Sequence, residues 1–278
     1  MLYLCILLLT FIIWLLYEKI QHSAIIHNST TVGLRHFPTS DTLKICLITD
    51  LHNNKKNITE IKKKIGEYSP NAILLAGDMV DKHNKNNKNA QEFIKVMAEL
   101  APVYYSYGNH EESIRQKRPA DWQEYLAGLP ENVIVLDNNT VDAELPGATF
   151  RISISGLSLS EKFYKRGALY EKEKELPGIG RSPEQGIRIL LAHHPEYAKW
   201  YGRYKPDLVL SGHLHGGLLR LPGVGGMVSP RLRKPKEDAG EYLYPFGKLY
   251  ISRGLGSHSI PLRFFNRVEI NYIQIIQE

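Results

Sequence analysis

Leu43-Lys44-Ile45-Cys46-Leu47-Ile48-Thr49-Asp50-Leu51-His52 is the stretch from which the fold can be read. Leu43 to Thr49 form a nearly continuous apolar run, the pattern of a strand buried on both faces. Asp50 and His52 follow at once. A buried strand that delivers an acid and an imidazole at its end suits an open α/β sheet, because such sheets bind ligands beyond the carboxyl ends of their strands.

The same arrangement recurs four times down the chain. Asn71 to Ala76 precedes Gly77-Asp78-Met79-Val80-Asp81, and Val103 to Tyr107 precedes Gly108-Asn109-His110-Glu111. Ile187 to Ala192 precedes His193-His194, and Asp207 to Leu210 precedes Gly212-His213-Leu214-His215. Phe150 to Ile154, Leu249 to Ser252 and Val268 to Ile275 read as further strands. Ile58, Ile61, Ile65 and Tyr68 fall on one helical face, and Phe93, Ile94, Met97 and Leu100 on another. Glu196 to Tyr204 predicts a short helix. Strands alternating with helices imply an α/β domain with mostly parallel pairing. The later strands, separated by Gly and Pro, look like a second sheet. Lys82 to Lys88 reads as a solvated turn. Ser158 to Gln185 reads as a polar surface excursion or a lid beside the site. There is no internal repeat.

Each motif alone is a weak signal; Gly-Asp-x-x-Asp, for instance, also makes ordinary turns. Five in order, each at a strand end, point to one paired-metal centre. Asp, Asn and His donors without thiolate suit two divalent ions such as Mn²⁺, Fe or Zn²⁺. In extended backbone, residues i and i+2 share a side, so Asp50 with His52 and His213 with His215 are expected to converge. Two ions about 3.5–4 Å apart require a bridging carboxylate, and Asp78 is the natural one. Gly77 and Gly212 let the backbone approach closely.

The chain has 278 residues, enough for a well-buried core. Its two cysteines, Cys5 and Cys46, rule out a disulfide framework and read as small buried hydrophobes. The net charge of +6 favours anionic partners without choosing among them. Residues Leu2 to Tyr17 carry no charge. As a helix they span roughly 24 Å, a little short of a ~30 Å hydrocarbon core. Trp14, Tyr17 and Glu18-Lys19 suit an interface end. A basic n-region and a small-residue cleavage site, the marks of a signal peptide, are not evident. A single-pass membrane anchor is therefore expected. Its side is left open, with Lys19 and Arg35 leaning toward a cytoplasmic domain.

Taken together the motifs resemble the calcineurin-like metallophosphoesterases, whose pattern runs D-x-H, G-D-x-x-D, G-N-H-[DE], H and G-H-x-H. The likeness covers Leu43 to about Glu269. It is nearest to the small membrane-associated bacterial branch, which includes phosphodiesterases acting on lipid-linked substrates. Leu221-Pro222, Ser252-Arg253-Gly254-Leu255-Gly256 and Pro261-Leu262-Arg263 also resemble that branch. The resemblance implies a four-layer αββα sandwich with an N-terminal transmembrane helix. The expected division is an anchor over 1–19, a linker leading into a strand over 20–42, and the phosphoesterase domain over 43–278.

By the same resemblance, one metal takes Asp50, His52, Asp78 and His215. The other takes Asp78, Asn109, His193 and His213. His193 is preferred to His194 because it leaves the strand first and a polar residue and Pro195 then follow. His110 matches the histidine that donates a proton to the leaving oxygen, and Asp81 the carboxylate that orients it. Glu111 is either a partner of the metal shell or a helix-start charge. Two divalent cations acidify a water between them, so that hydroxide attacks phosphorus in line with the leaving group. Asn53-Asn54 departs from branches that grip substrate after the D-x-H motif, so the substrate pocket cannot be copied from relatives. Ser229 to Lys236 (SPRLRKPK) is either a solvated basic loop or a holder of acidic headgroups. A broad basic and aromatic track for nucleic acid is lacking. The expected partner is a phosphorylated substrate, lipid-linked given the anchor. The alternatives are a phosphomonoesterase, a nuclease, or a tethered binding protein without turnover.

Overall fold

The computed structural model describes the chain apart from residues 1, 39–40, 166–174, 181–185, 218, 230–233 and 257–262. Much of the 158–185 excursion, the centre of the 229–236 run and Pro261-Leu262 therefore lie outside the described residues.

Two six-stranded sheets make the body. The first runs, in spatial order, β1 (Ile26–Leu34), β14 (Glu269–Gln277), β2 (Leu43–Ile48), β3 (Ala72–Ala76), β4 (Val103–Ser106) and β5 (Val133–Leu136). The second runs β12 (Gly240–Tyr244), β13 (Gly247–Ile251), β9 (Leu208–Ser211), β8 (Ile187–Ala192), β7 (Ile152–Leu157) and β6 (Thr140–Ala143). A small hairpin, β10 (Leu219–Leu221) and β11 (Gly225–Val228), stands apart. The central strands β2 to β5 pair in parallel, as do β7, β8, β9 and β13. Antiparallel pairs occur between β14 and β2, β12 and β13, and β6 and β7.

Alternation along the strands builds the layers. Ile45 and Leu47 of β2 face the second sheet, packing with Leu191, Leu210 and Ile154. Cys46 and Ile48 face the other way, onto Ile61 and Ile65 of α2 (Ile58–Tyr68) and Phe93, Ile94 and Met97 of α3 (Lys88–Ala98). The far face of the second sheet is covered by Phe163, Tyr197, Ala198 and Tyr201, which sit on short helical turns. The result is the expected αββα sandwich, thin on its second helical side.

Several elements differ from the reading of the sequence. The 20–42 stretch, expected as a linker and entry strand, is largely strand: the nine-residue β1 runs parallel to β14 along its whole length. Its polar residues hid it, because an edge strand needs an apolar face only on its inner side. Asn109–Lys117 and Pro119–Ala127 form two further helices, α4 and α5, beyond the third motif. The first helix, α1, extends from Leu2 to Ser23, past the uncharged stretch. At ~1.5 Å per residue that is about 33 Å, long enough to cross a membrane by length and composition. Its side chains from Tyr3 to Leu16 are exposed, whereas Glu18 and Gln21 at its C-terminal end are buried.

Candidate metal centre

Beyond Ile48 the chain leaves β2 but does not leave its neighbour. The amides of Asp50, His52 and Asn53 donate to the carbonyls of Gly77, Asp78 and Met79 at 3.0, 3.0 and 2.9 Å. The two motif loops thus run side by side as an irregular continuation of β2 and β3. Asp50, His52, Asp78, His213 and His215 have φ of +52°, +50°, +54°, +70° and +51°. Non-glycine residues seldom adopt this left-handed region, and clusters of them mark functional sites. Asp50 and His52 converge as expected, through left-handed turns and not by the alternation of an extended strand, whereas His213 and His215 fall into different donor groups. Gly77, at φ +88°, could not be replaced cheaply: a Cβ there would lie 2.7 Å from the His193 ring. One on Gly212 would overlap the Asp50 carboxylate.

The structure gathers the motif residues into one buried centre. Asp50, His52 and His215 present donor atoms within 4.8 Å of one another, and so do Asp78, His193 and His213. The two groups meet at Asp78, whose Oδ2 lies 3.2 Å from His193 Nε2 and 3.8 Å from His52 Nε2. His52 Nε2 and His215 Nε2 stand 3.2 Å apart. His193 Nδ1 lies 2.7 Å from the carbonyl of Ala76. That carbonyl can only accept, so Nδ1 carries the proton and Nε2 offers its lone pair to the centre. His194 lies outside both groups, stacked on Tyr164 at 5.0 Å.

These donors fit a cation pair. His193 Nε2 and Asn109 Oδ1 are buried atoms without a hydrogen-bond partner, and leaving such atoms unsatisfied is costly. Burial disfavours charge on both aspartates. It raises the Asp50 pKa, which Asp78 raises further, while nearby imidazoles hold Asp78 low. Burial likewise opposes a proton on His193, yet Asp78 and Asp50 draw one there. The centre calls for positive charge, and meeting it with protons would place them on its own ligand-type nitrogens. Divalent cations would meet that demand and satisfy the orphaned atoms together.

His110 stands at the edge of the centre, its ring 4.5 Å from that of His52. Its Nδ1 accepts the Lys82 amide at 3.1 Å and lies 3.4 Å from Asp81 Oδ1. A neutral ring therefore holds its proton on Nε2, away from Asp81. Asp81 is anchored in turn by the amide of His83 and the side chain of Asn84, both at 3.0 Å. Partial burial works against its charge, but the neighbouring His110 ring, the His83 amide and His52 bring its pKa down to about 2.

Three features escaped the sequence. Glu111 is fully buried and accepts five donors: the amides of Asp78 (2.9 Å), Met79 (2.7 Å), Val80 (3.2 Å) and Gly108 (2.8 Å), and the Tyr105 hydroxyl (2.6 Å). It is thus both alternatives at once, a helix-start acid reaching back to Gly108 and a clamp on the Asp78 turn. Its spacing after Gly108 was the one available signal. Arg263 is 1% exposed. Its Nη2 lies 3.1 Å from His215 Nδ1 and donates to the carbonyls of Arg253 (2.9 Å) and Gly256 (2.6 Å). Those two carbonyls take both hydrogens of Nη2, so the contact with His215 steadies the ring by packing. Asn266 Nδ2 donates to the carbonyl of His215 at 2.6 Å. No sequence signal marks Arg263 or Asn266 as buried.

The profile of the family described as calcineurin-like phosphoesterase matches residues 43–217. A transmembrane protein with metallophosphoesterase domain from Danio rerio is 28% identical over 84% of this chain and 53% of its own. The chain thus spans about half the length of that relative. The phosphodiesterase YaeI of Escherichia coli is 29% identical over 84% of this chain and 82% of its own. Among solved structures, TT1561 of Thermus thermophilus aligns with a TM-score of 0.45 and 14% identity, over 78% of this chain and 92% of that one.

Proposed function

Since the chain belongs to the calcineurin-like phosphoesterases, a dinuclear metal-dependent family of phosphoester hydrolases, we propose that it is a membrane-anchored phosphodiesterase acting on a lipid-linked or headgroup substrate. Asp50, His52, Asp78 and His215 would hold one cation, and Asp78, Asn109, His193 and His213 the other. When bound, the cations supply Lewis-acid charge for the phosphoryl oxygens and acidify a water. Asp78 lies within reach of His193 in one group and of His52 in the other, so it would serve as the bridge. Protonated His110 would give its Nε2 proton to the departing oxygen and end as the neutral ring, a contribution of typically ~10²–10⁴-fold. Asp81 keeps the ring aligned and stabilises it when charged. Asn109 adds a neutral amide oxygen, and Glu111 holds the turn that carries Asp78.

One observation carries the lipid reading. The C-terminal end of α1 is bonded to the segment that braces the centre. Glu18 Oε2 accepts the Arg263 amide at 3.1 Å, and Gln21 Oε1 accepts the Asn266 amide at 3.0 Å. Arg263 and Asn266 are the residues that hold His215. An apolar helix in a bilayer, attached at this point, would fix the centre close to the lipid headgroups. The relatives named as a transmembrane protein and as a phosphodiesterase point the same way.

The test is turnover by the full chain in nanodiscs with Mn²⁺, using Asp78→Asn as control. The substrates are an aryl phosphomonoester, an aryl phosphodiester and a lipid-linked diphosphate. Metal-dependent preference for the diester or the lipid supports the reading. Preference for the monoester overturns the diesterase assignment. No turnover of any of the three with metal bound moves the protein to a tethered binding role.

A further inference from the structure

Outside α1, the exposed large apolar side chains among the described residues are Leu219, Leu221, Val224, Leu243, Phe264 and Phe265. Five of these six occupy one place. Leu219 bridges to Phe264, and the Arg220 amide donates to the Phe264 carbonyl at 3.0 Å, so the β10–β11 hairpin is joined to the Phe264–Phe265 turn. That turn is joined to α1. The Phe265 amide donates to the Tyr17 hydroxyl at 2.7 Å, and the Tyr17 ring lies 5.5 and 5.9 Å from those of Phe264 and Phe265. Leu221 and Val224 flank the hairpin's turn, closed by the Val224 amide on the Leu221 carbonyl at 3.1 Å. Exposed apolar residues scattered singly need no explanation, but a contiguous group does.

The geometry points to a second bilayer contact: the hairpin residues Leu219, Leu221 and Val224, with Phe264 and Phe265, form a rim that dips into the headgroup layer beside α1. This rests on the membrane reading of α1 given above and says where the rest of the protein then lies. The occupant is argued from continuity. Tyr17 is both the last residue of the uncharged stretch and the contact of Phe264 and Phe265. Aromatic side chains next to the end of an apolar helix suit the membrane interface, where an apolar body and a polar edge are both accommodated. A short apolar surface adds shallow burial to an anchor already in place.

The rim also sets the depth of the metal centre. His213, His215 and the hairpin share one loop, and Asn266 ties the carbonyls of His215 and Gly217 at 2.6 and 3.2 Å to the residue beside Phe265. A rim seated in the headgroups therefore brings His215 to the level of lipid phosphorus. A single helical tether would leave the body free to tilt away; a second contact removes that freedom.

The test uses the full chain in vesicles of phosphatidylethanolamine and phosphatidylglycerol. Single cysteines replace Leu221, Val224 or Phe265 in a Cys5→Ser background, with Cys46 buried in the sheet. Each carries an environment-sensitive fluorophore, and lipids spin-labelled near the headgroup serve as quenchers. Cysteines at Ile12 and at Lys63, which is exposed on α2, report the anchor and bulk solvent. Retained hydrolysis of an aryl phosphodiester shows that each labelled protein is folded. The expected result is blue-shifted, quenched emission at 221, 224, 265 and 12, and none at 63. Quenching at 12 with the rim positions behaving like 63 overturns the inference and leaves the anchor standing. Loss of quenching at 12 as well removes the membrane reading, and the rim falls with it. Cross-linking between rim cysteines of two chains, without quenching, assigns the surface to a second copy instead.

Discussion

The Asp78 amide donates to Glu111 Oε2 at 2.9 Å, so a carboxylate from the start of α4 holds the backbone of the residue at the junction of the two metal-type groups. The same carboxylate holds the next two amides of the turn. Burial and the Asp78 charge raise the Glu111 pKa, against the Tyr105 hydrogen bond, which lowers it. Glu111→Ala would strand four amides and a phenol in the interior. At ~1–3 kcal/mol for each unsatisfied buried group, partly relieved by water, a loss of about 4 kcal/mol is expected. Glu111→Gln should retain part of it. Urea denaturation of both variants checks this, and a loss below about 1 kcal/mol for the alanine would show that the turn holds itself.

Asp78→Asn is expected to abolish metal binding and activity together. The loss should exceed the ~10–100-fold typical of a partner outside the metal shell. The metal-free variant should melt below the metal-free parent at neutral pH, because the imidazoles that hold the Asp78 carboxylate ionised lose that charge. The diagnostic is the rise in melting temperature on adding Mn²⁺. The parent should gain about 2.7 kcal/mol at a hundredfold excess over Kd, and the variant should gain nothing. A variant that binds metal fully and turns over normally would remove Asp78 from the bridge.

His110→Ala should keep metal and lose activity in proportion to the difficulty of the leaving group. Alkyl leaving oxygens need a proton, so their hydrolysis should fall by ~10²–10⁴-fold. An aryl oxide needs little help, and its hydrolysis should fall far less. Equal losses on the two substrates would argue for a positional role of the ring.

Asp81 gives a pH dependence with a definite sign. Its pKa falls from 3.8 to about 2 in the folded chain. The ionised carboxylate therefore stabilises the fold fully above 3.8, and this contribution is lost as pH falls through about 2. The difference in urea midpoint between the parent and Asp81→Asn should be flat from neutral pH down to about 4 and close between 3.8 and 2. A difference that shrinks near pH 6 would mean that another group is being read.

The sequence by itself determined the architecture of the central sheets and put forward the candidate residues of the site. Leu43 to Thr49 and its four counterparts are buried strands because parallel strands covered on both faces must be apolar throughout. Each ended in a motif, so every motif had to lie at the carboxyl end of a strand; β2, β3 and β4 carry three of them in one sheet, and β8 and β9 two in the other. Asp50, His52, Asp78, Asn109, His193, His213 and His215 could be named before any coordinate was known. Edge strands are less legible. The polar residues of β1 gave no alternating signal, and only pairing with β14 makes that segment a strand.

Tertiary structure alone decided how the motif residues converge and what braces them. Left-handed backbone at Asp50, His52, Asp78, His213 and His215 is held by hydrogen bonds between loops distant in sequence, so no local preference could predict it. Glu111 was visible as an acid near a helix start, but three of its five donors come from the Asp78–Val80 turn, some thirty residues away in sequence. Arg263 stood out in the sequence only as part of Pro261-Leu262-Arg263, with no sign of burial. It is buried because the end of α1, the His215 loop and the Arg253–Gly256 turn close over it. A linear chain records what each residue can donate or accept. Which partners it meets depends on contacts across more than two hundred residues, and those exist only once the sheets have packed.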